Sequence, residues 1–494
     1  MSSRPRGLSK SKLVSFVQCP KRLWLQTFRP ELADECDAAT AMRFEAGNAF
    51  GDLARSFYAG GILVDEENLA EALTRTEVEL GKNVPLFEAT FVHENVLVRA
   101  DVLLPGQRGA TLVEVKASTE VKEYQLFDAA IQAWVLAGAG QNLARVQIGH
   151  VNNQFVYPGG EQYEGILYIE DVTAEVGRII PSIPAYVAEA KKCLALEKEP
   201  CLSAGPQCFE PYGCPFYGYC APEREAFPVE GLPRIGKKSE TLRALGYNDI
   251  RDIPDAYPLS EAQTVVREVT KRGSPMLLAG AKAEMASLPY PRAYMDFETI
   301  AFTVPIWAGT RPYQQIPFQW SCHIESRAEA LTHVEFLGED GKDPRIHFIE
   351  SLLACMQNCA TVIMYNAAFE CTRLQELAEA FPEYASGIQD ITGKVFDLLP
   401  VARRNYYHPD MMGSWSIKKV LPTIAPELDY ARLAIGDGSA AQEGFLKLLA
   451  LPSGSPEWQK LRTDMLLYCA RDTWAMVQIG RFFEGKPLLP GICA

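Results

Sequence analysis

Three groups of residues in this 494-residue chain have types and spacings that could do chemistry. The first is Asp101 with Glu114-x-Lys116, inside Arg99–Ala117 (RADVLLPGQRGATLVEVKA). The stretch reads as two strands joined by a turn that starts at Pro105-Gly106, and side chains alternate faces along a strand. Glu114 and Lys116 then share one face, Val113 and Val115 point to a core, and the returning chain brings Asp101 to the same edge. Two carboxylates beside a lysine suit a divalent cation and the water it activates, with the ammonium orienting that water and offsetting phosphate charge. A surface salt-bridge cluster would have the same composition, so the flanking sequence has to decide. The second group is Cys201-x6-Cys208-x5-Cys214-x5-Cys220, in a loop rich in proline, glycine and aromatics. Thiolates at such spacing suit zinc or an iron–sulfur cluster, and the spacing alone does not choose. The third is Asp296-x-Glu298 on an apolar run, followed by Asn366-x3-Glu370 and by Tyr468-x3-Asp472. Period two puts Asp296 and Glu298 on one side of a strand. Positions i and i+4 put the Tyr468 phenol and the Asp472 carboxylate on one helix face. Acids buried in a strand are costly unless a cation compensates them.

These groups need particular elements around them. Ser9 or Ser11 caps a helix whose apolar face is Leu13, Phe16 and Val17, and Pro20 ends or bends it just after Cys19. Residues 41–58 are predicted helical, with Glu45, Gly47 and Gly51 along them, and Phe87–Leu97 is predicted to form a strand pair. A helix over Tyr124–Leu136 carries Gln125, Asp128 and Gln132, a strand covers Val146–Val156, and Tyr168–Leu196 is predicted mostly helical. Beyond the cysteines, Gly231–Pro254 reads as two short helices around Gly246, and residues 255–290 continue with a helix bearing Val265, Val266 and Val269. Strands over 318–326, 332–337 and 361–364, a helix starting near Phe369, Asp397 within Val-Phe-Asp-Leu-Leu, and a helix over Leu461–Arg481 complete the chain.

The length leaves room for two to four domains with sizeable cores. A net charge of −14 argues against a uniformly basic nucleic-acid coat. Residues 1–30 nevertheless hold Arg4, Arg6, Lys10, Lys12, Lys21, Arg22 and Arg29 and no acid, which fits a local phosphate-binding patch on an acidic protein or, for the first ten residues, a solvated polar tail. No apolar run has membrane-spanning length and no secretory pattern is present, so the expectation is a cytoplasmic protein with no membrane partner. Thirteen cysteines in such a compartment are expected as thiols, with Cys322, Cys355, Cys359, Cys371 and Cys469 as small core residues.

The run Ser9 to Leu23 with Cys19-Pro20, then Asp101, then Glu114-x-Lys116, then a glutamine-bearing helix and a terminal cysteine group resembles the iron–sulfur branch of the PD-(D/E)xK nucleases. That branch includes the CRISPR-associated RecB-like exonucleases and the AddB nuclease domain. The resemblance covers residues 8–225 and implies a restriction-endonuclease-like fold. It implies that Cys19, Cys208, Cys214 and Cys220 hold a 4Fe–4S cluster, that Asp101 and Glu114 hold Mg²⁺ or Mn²⁺, that Lys116 is the catalytic lysine, and that Gln132 positions the site. The chain departs from the pattern in three places: Leu136 replaces the usual tyrosine, the last cysteines read C-x5-C-x5-C, and no histidine stands near Gly47 or Gly51. Glu45 and Glu88 are substitute acids for that histidine, and Cys201 is surplus to the cluster or displaces Cys208.

The third group resembles the DnaQ-like DEDD exonucleases of the ribonuclease H-like fold, over residues 292–485. The resemblance implies that Asp296, Glu298, Glu370 and Asp472 bind two metal ions and that Tyr468 orients the attacking water. Glu370 stands where the family has aspartate, and Asp397 could share its role.

The expected organisation is therefore α/β throughout: a RecB-like domain over 1–228, a helical connector over 229–290, and a ribonuclease H-fold exonuclease over 291–494. The connector reads first as a plain helical spacer; it also resembles a helix-hairpin-helix, in which Lys237, Lys238 and Arg243 would add charge toward phosphates. The two resemblances together imply an uncharacterised bacterial family of two-nuclease proteins acting in DNA repair or defence. The expected activity is phosphodiester hydrolysis at two sites, on DNA ahead of RNA. RNA trimming and a catalytically reduced nucleic-acid-binding scaffold are the alternatives.

Overall fold

In a computed structural model, residues 7–221 and 225–491 are described. Arg4 and Arg6 of the basic N-terminal stretch lie outside them. The protein is a mixed α/β chain that divides into two units. One is Met1–Pro222 with Phe302–Gln314, and the other is Glu223–Ala301 with Gln315–Ala494.

In the first unit, β1 (Leu8–Ser9) leads into α1 (Lys10–Gln18), capped by the Ser9 hydroxyl, which accepts the Lys12 amide at 3.3 Å. Pro20 lacks the N–H that an interior helical position needs, so α1 stops and α2 (Pro20–Phe28) begins with that proline in its first turn. α3 (Ala38–Ser56), β2 (Ile62–Leu63) and α4 (Leu69–Leu80) come next. The main strands are β3 (Leu86–His93), β4 (Val96–Leu104) and β5 (Ala110–Lys116). α5 (Glu123–Gly138) then crosses to β6 (Leu143–Val151), and β7 (Leu167–Asp171) closes the sheet. α6 (Thr173–Ile179), α7 (Ile183–Leu194) and the one-turn α8 (Tyr217–Cys220) follow.

The sheet runs β2-β3-β4-β5-β6-β7, with β1 also paired to β4. β3, β4 and β5 are antiparallel neighbours, whereas β5 and β6 are parallel across the α5 crossover. One apolar cluster joins the helices to the sheet and includes Leu13, Leu23, Val98, Leu112, Ile131 and Leu136. The expectation of helix from Tyr168 fails for its first residues, which form β7 against β6. Leu167 and Ile169 close over Gly149, where a Cβ would lie 3.0 and 3.1 Å from their Cδ1 atoms, so period two wins locally over period 3.6. The 302–314 segment also belongs to this unit, where Tyr313 Oη donates to the Ala117 carbonyl at 2.8 Å.

The second unit begins with α9 (Lys238–Ala244), α10 (Glu261–Arg272), β8 (Met276–Leu277) and α11 (Gly280–Ala286). Only one of the two short helices expected around Gly246 is a full helix. Gly246 turns with φ of +86°, and Ile250–Asp252 forms a single 3₁₀ turn. Asp249 accepts the Arg251 amide at 2.8 Å and Pro254 follows, which together leave no room for a second α-helix. Arg243 is engaged by Glu230 at 2.6 and 2.7 Å.

Next come β9 (Arg292–Ile300), β10 (Ile316–Glu325), β11 (Leu331–Leu337), α12 (Arg345–Met356), β12 (Thr361–Met364) and α13 (Ala368–Ala380). α14 (Ala385–Thr392), β13 (Val395–Asp397), α15 (Leu398–Asn405), β14 (Tyr406–Tyr407), α16 (Ile417–Ile424), α17 (Gly438–Ala450) and α18 (Pro456–Glu484) complete it. The five-stranded mixed sheet runs β11-β10-β9-β12-β13, and β14 pairs β8 separately. Ala293, Met295 and Phe297 of β9 enter an apolar cluster with Trp320, Phe348 and Leu374. Their alternation leaves Asp296 and Glu298 on the opposite face. Cys322, Cys359 and Cys469 are buried, while Cys355 and Cys371 are partly buried.

Candidate functional site

In the first unit, Val102 pairs with Val113 and Leu103 with Leu112, a register that sets Asp101 across from Glu114. Asp101 accepts the Val115 amide through Oδ2 at 2.7 Å. Lys116 Nζ lies 2.6 Å from Glu114 Oε1 and 2.5 Å from Asp128 Oδ2 on α5. One helical turn beyond Asp128, the Gln132 amide donates to Glu114 Oε2, while its own buried Oε1 has no partner. The structure thus brings Asp101, Glu114, Lys116 and Gln132 together. A cleft of about 610 Å³ is lined by Lys10, Arg55, Glu88, Asp101, Glu114 and Lys116, among others. Gly47 and Gly51 of α3 also line it, and nothing lies within 4 Å of where their Cβ atoms would stand. Of the two substitute acids, Glu45 is exposed and outside this lining, whereas Glu88 is in it. The β3–β4 register sets Glu88 opposite Asp101, and its φ of +54° is strained for a residue with a Cβ.

The electrostatics follow from burial and pairing. Burial and the Glu114 charge push the Asp101 carboxyl up to about 7. Burial alone would raise Glu114 as well, yet Lys10 and Lys116 hold it far below the usual carboxylate range. Burial would lower Lys116, but Glu114, Asp128 and Asp101 outweigh it and keep the ammonium protonated.

The cysteines converge on α2. Cys19 is the N-cap residue of α2, and Gln18 beside it donates to the Gln207 and Tyr212 carbonyls, each at 2.8 Å. The Cys214 amide donates to the Cys208 carbonyl at 2.8 Å. Burial raises the Cys220 thiol, Lys21 counters this, and the charges of Cys214, Cys208 and Cys19 all act on it. Burial likewise raises Cys214, against the pull of Arg22. The four thus lie near enough for their charges to act on one another, whereas Cys201 is exposed. Among the described residues, no three of these sulfurs lie within 4.8 Å of one another. A single tetrahedral zinc with Zn–S of 2.3 Å would draw them to roughly 3.8 Å.

In the second unit, Asp296, Glu298 and Asp472 bring carboxylate oxygens within 4.8 Å of one another. β9 supplies the first two, and α18, which packs on β9 and β10, supplies the third. Glu370 sits in the first turn of α13, outside that spacing but close enough for its charge to act on Asp296. Its buried Oε2 has no partner. Burial, with the charges of Asp472, Glu370 and Glu298, holds Asp296 well above the carboxylate range. Burial, with the charges of Asp472 and Glu370 and against the pull of Lys418, pushes Glu298 up to about 8. Burial raises Glu370 to about 7 and Asp472 to about 6, the latter moderated by Tyr430 and Lys418. Such mutual repulsion is what a divalent cation relieves, so the donor set fits Mg²⁺ or Mn²⁺. Asp397 has another duty: its Oδ1 caps α15 by accepting the Leu399 amide at 3.0 Å and accepts the Asn366 amide at 2.9 Å.

Tyr468 is buried, and its Oη accepts from Lys418 Nζ at 3.1 Å. Tyr430 Oη donates to Asp472 Oδ1. Lys418 lies 5.4 and 5.1 Å from the Tyr430 and Tyr468 ring centroids. Sequence reasoning missed Lys418 and Tyr430, and it named Lys10 in the basic stretch and Asp128 on the glutamine-bearing helix without placing either at the site. Asp128 stands one turn before Gln132, which was a usable signal.

A family model described as a domain of unknown function, DUF2779, matches residues 293–416. That stretch holds Asp296, Glu298 and Glu370 but stops short of Lys418, Tyr468 and Asp472. An uncharacterised Ureaplasma parvum protein, UU173, is 25% identical over 220 residues, which is 40% of this chain and 32% of that protein. MG366 of Mycoplasma genitalium is 26% identical over 212 residues, 39% of this chain and 32% of its own length. Its Mycoplasma pneumoniae homolog is 27% identical over 222 residues, 41% and 33% of the two chains. The chain spans about a third of the length of these curated relatives.

Proposed function

We propose that the protein is a metal-dependent nuclease with two active sites, acting on DNA ends ahead of RNA. The observation that carries the reading is the buried convergence of Asp296, Glu298 and Asp472 within 4.8 Å, with Tyr468 four residues before Asp472 on the same helix. The strand order β11-β10-β9-β12-β13, with a late helix against β9, supports a ribonuclease H-like exonuclease of the DEDD kind. Asp101, Glu114, Lys116 and Gln132 around one cleft support a PD-(D/E)xK nuclease in the first unit.

In the second unit, Asp296, Glu298, Asp472 and Glu370 would hold Mg²⁺ or Mn²⁺, and in the first Asp101 and Glu114 would do so. When bound, such ions polarise the phosphoryl group and acidify water. The residues themselves supply the rest. Lys418 fixes the Tyr468 hydroxyl, whose remaining lone pair and proton are free to orient a water for attack. Tyr430 keeps Asp472 in place. Lys116 offers a cation at the edge of the cleft, held by Asp128. Cys19, Cys208, Cys214 and Cys220 would hold the 4Fe–4S cluster that the resemblance of the first unit implies.

The test is anaerobic purification, iron and sulfide analysis, and assay of end-labelled single- and double-stranded DNA and RNA with Mg²⁺ or Mn²⁺. Metal-dependent trimming of DNA with about four irons per chain is expected. Trimming of RNA alone would favour the RNA-processing reading, and cleavage of neither polymer would leave a binding scaffold. Stoichiometric zinc without iron would overturn the cluster.

A further inference from the structure

One cation at Glu114 comes from outside the motif that defines the first unit's site. Lys10, the first residue of α1, places Nζ 2.8 Å from Glu114 Oε1 and 3.5 Å from Asp128 Oδ2. Lys116 Nζ lies 2.6 and 2.5 Å from the same two oxygens. Two ammonium groups thus share one carboxylate oxygen, while Gln132 takes the other. A carboxylate has about four lone-pair sites, so three donors leave Glu114 little to offer a divalent ion. An ion reaching Glu114 has to displace one of them.

The two lysines are not held equally. Lys116 is anchored to Asp128 at 2.5 Å whether or not Glu114 is available, whereas the corresponding contact of Lys10 is 3.5 Å. Lys10 depends on Glu114, reaches it on a flexible four-carbon stem and lines the open cleft with a side chain 22% exposed. Arg55 and Arg99 line the same cleft among the acids Asp52, Asp65 and Glu88, so cations that could meet a phosphate stand beside the carboxylates that could hold a metal ion.

We propose that Lys10 is an exchangeable counter-ion of the first unit's site. It occupies Glu114 in the ion-free chain and gives way to the divalent ion, moving to a phosphate of the nucleic-acid backbone. The inference rests on the nuclease reading of that unit. It gives α1 two ends with separate duties, since the helix that starts at Lys10 finishes at Cys19 among the thiols.

The test uses the full chain carrying Asp296→Asn and Asp472→Asn, so that only the first unit's carboxylates bind added metal. Free Mn²⁺ is read from its EPR signal in this parent and in Lys10→Met and Lys10→Arg versions, and KM is measured for an end-labelled DNA oligonucleotide. Lys10→Met keeps the stem without the charge, and Glu114 keeps Lys116 and Gln132 as partners, so the fold is preserved. Lys10→Met is expected to bind Mn²⁺ about tenfold more tightly while raising KM about tenfold. Lys10→Arg is expected to stay near the parent in both. A residue that merely held the structure would weaken both when removed. Mn²⁺ affinity unchanged or weakened in Lys10→Met would overturn the proposal while leaving the nuclease reading intact. Tighter Mn²⁺ binding by Lys10→Met, with a parent that cleaves nothing, would support the role of Lys10 at the metal and overturn the nuclease reading of the first unit. A parent that binds no Mn²⁺ would overturn both.

Discussion

Asp296 opposes folding until a positive charge stands beside it. It is surrounded by Glu298, Asp472 and Glu370, and burial removes the water that would screen them. Asp296→Asn should therefore raise the melting temperature in chelator, by about 2–4 °C for each kcal/mol of repulsion removed. Mn²⁺ should stabilise the second unit's transition in the wild type and have little effect on that transition in the variant, a contrast that calorimetry would read. In the first unit, Lys116→Met should cost at least about a hundredfold in cleavage by that unit while leaving its far-UV circular dichroism unchanged. Asp-x-Glu and Glu-x-Lys were legible because period two is a local property of a strand. Lys418 and Tyr430 were not, because they reach Asp472 and Tyr468 from forty to fifty residues away, and no spacing rule links those positions.

The elements that carry these residues are fixed at their ends. Arg292 starts β9 and is almost fully buried, donating to Glu484 Oε1 at the end of α18 at 2.8 Å and to the Met285 carbonyl of α11 at 2.7 Å. This pins the strand bearing Asp296 against the helix bearing Asp472. Burial would raise Glu484, but hydrogen bonds from Arg292 and Lys486 hold its carboxyl below the ordinary value. Its folded pKa lies below the unfolded one, so its stabilisation is complete above about pH 4.3 and is lost as pH falls through the folded value. Glu484→Gln should cost about 3 kcal/mol at neutral pH, with the deficit shrinking toward acid in urea titrations. In the first unit, α1 was legible from Ser9 at one end and Pro20 at the other. β7 was not, because Leu-Tyr-Ile-Glu satisfies a helical count as readily as a strand until Gly149 offers it a floor. The short 3₁₀ turn after Gly246 escaped for a similar reason, since Asp249 and Pro254 act only once the chain has turned.

At the scale of the whole molecule, two units each gather acids beside a cation on an acidic chain. The mixed α/β character was legible from the alternation of strand and helix signals. The boundary was only partly so, because residues 302–314 belong to the first unit although they lie within the second unit's sequence, and no composition shift marks them. Among the described residues no helix is long and apolar enough to cross a membrane. Closing a loop of two hundred residues by binding Cys19 with Cys208, Cys214 and Cys220 would stabilise the first unit chiefly by restricting its unfolded chain. Iron removal should therefore lower the first unit's calorimetric transition and spare that of the second. The central claim, two independent metal-dependent nuclease sites, is tested most directly by assaying end-labelled DNA with the wild type, Lys116→Ala, Asp296→Ala and the double variant, all in Mn²⁺. Each single variant should lose one part of the product pattern and the double variant should lose cleavage altogether. Undiminished cleavage by the double variant would contradict it.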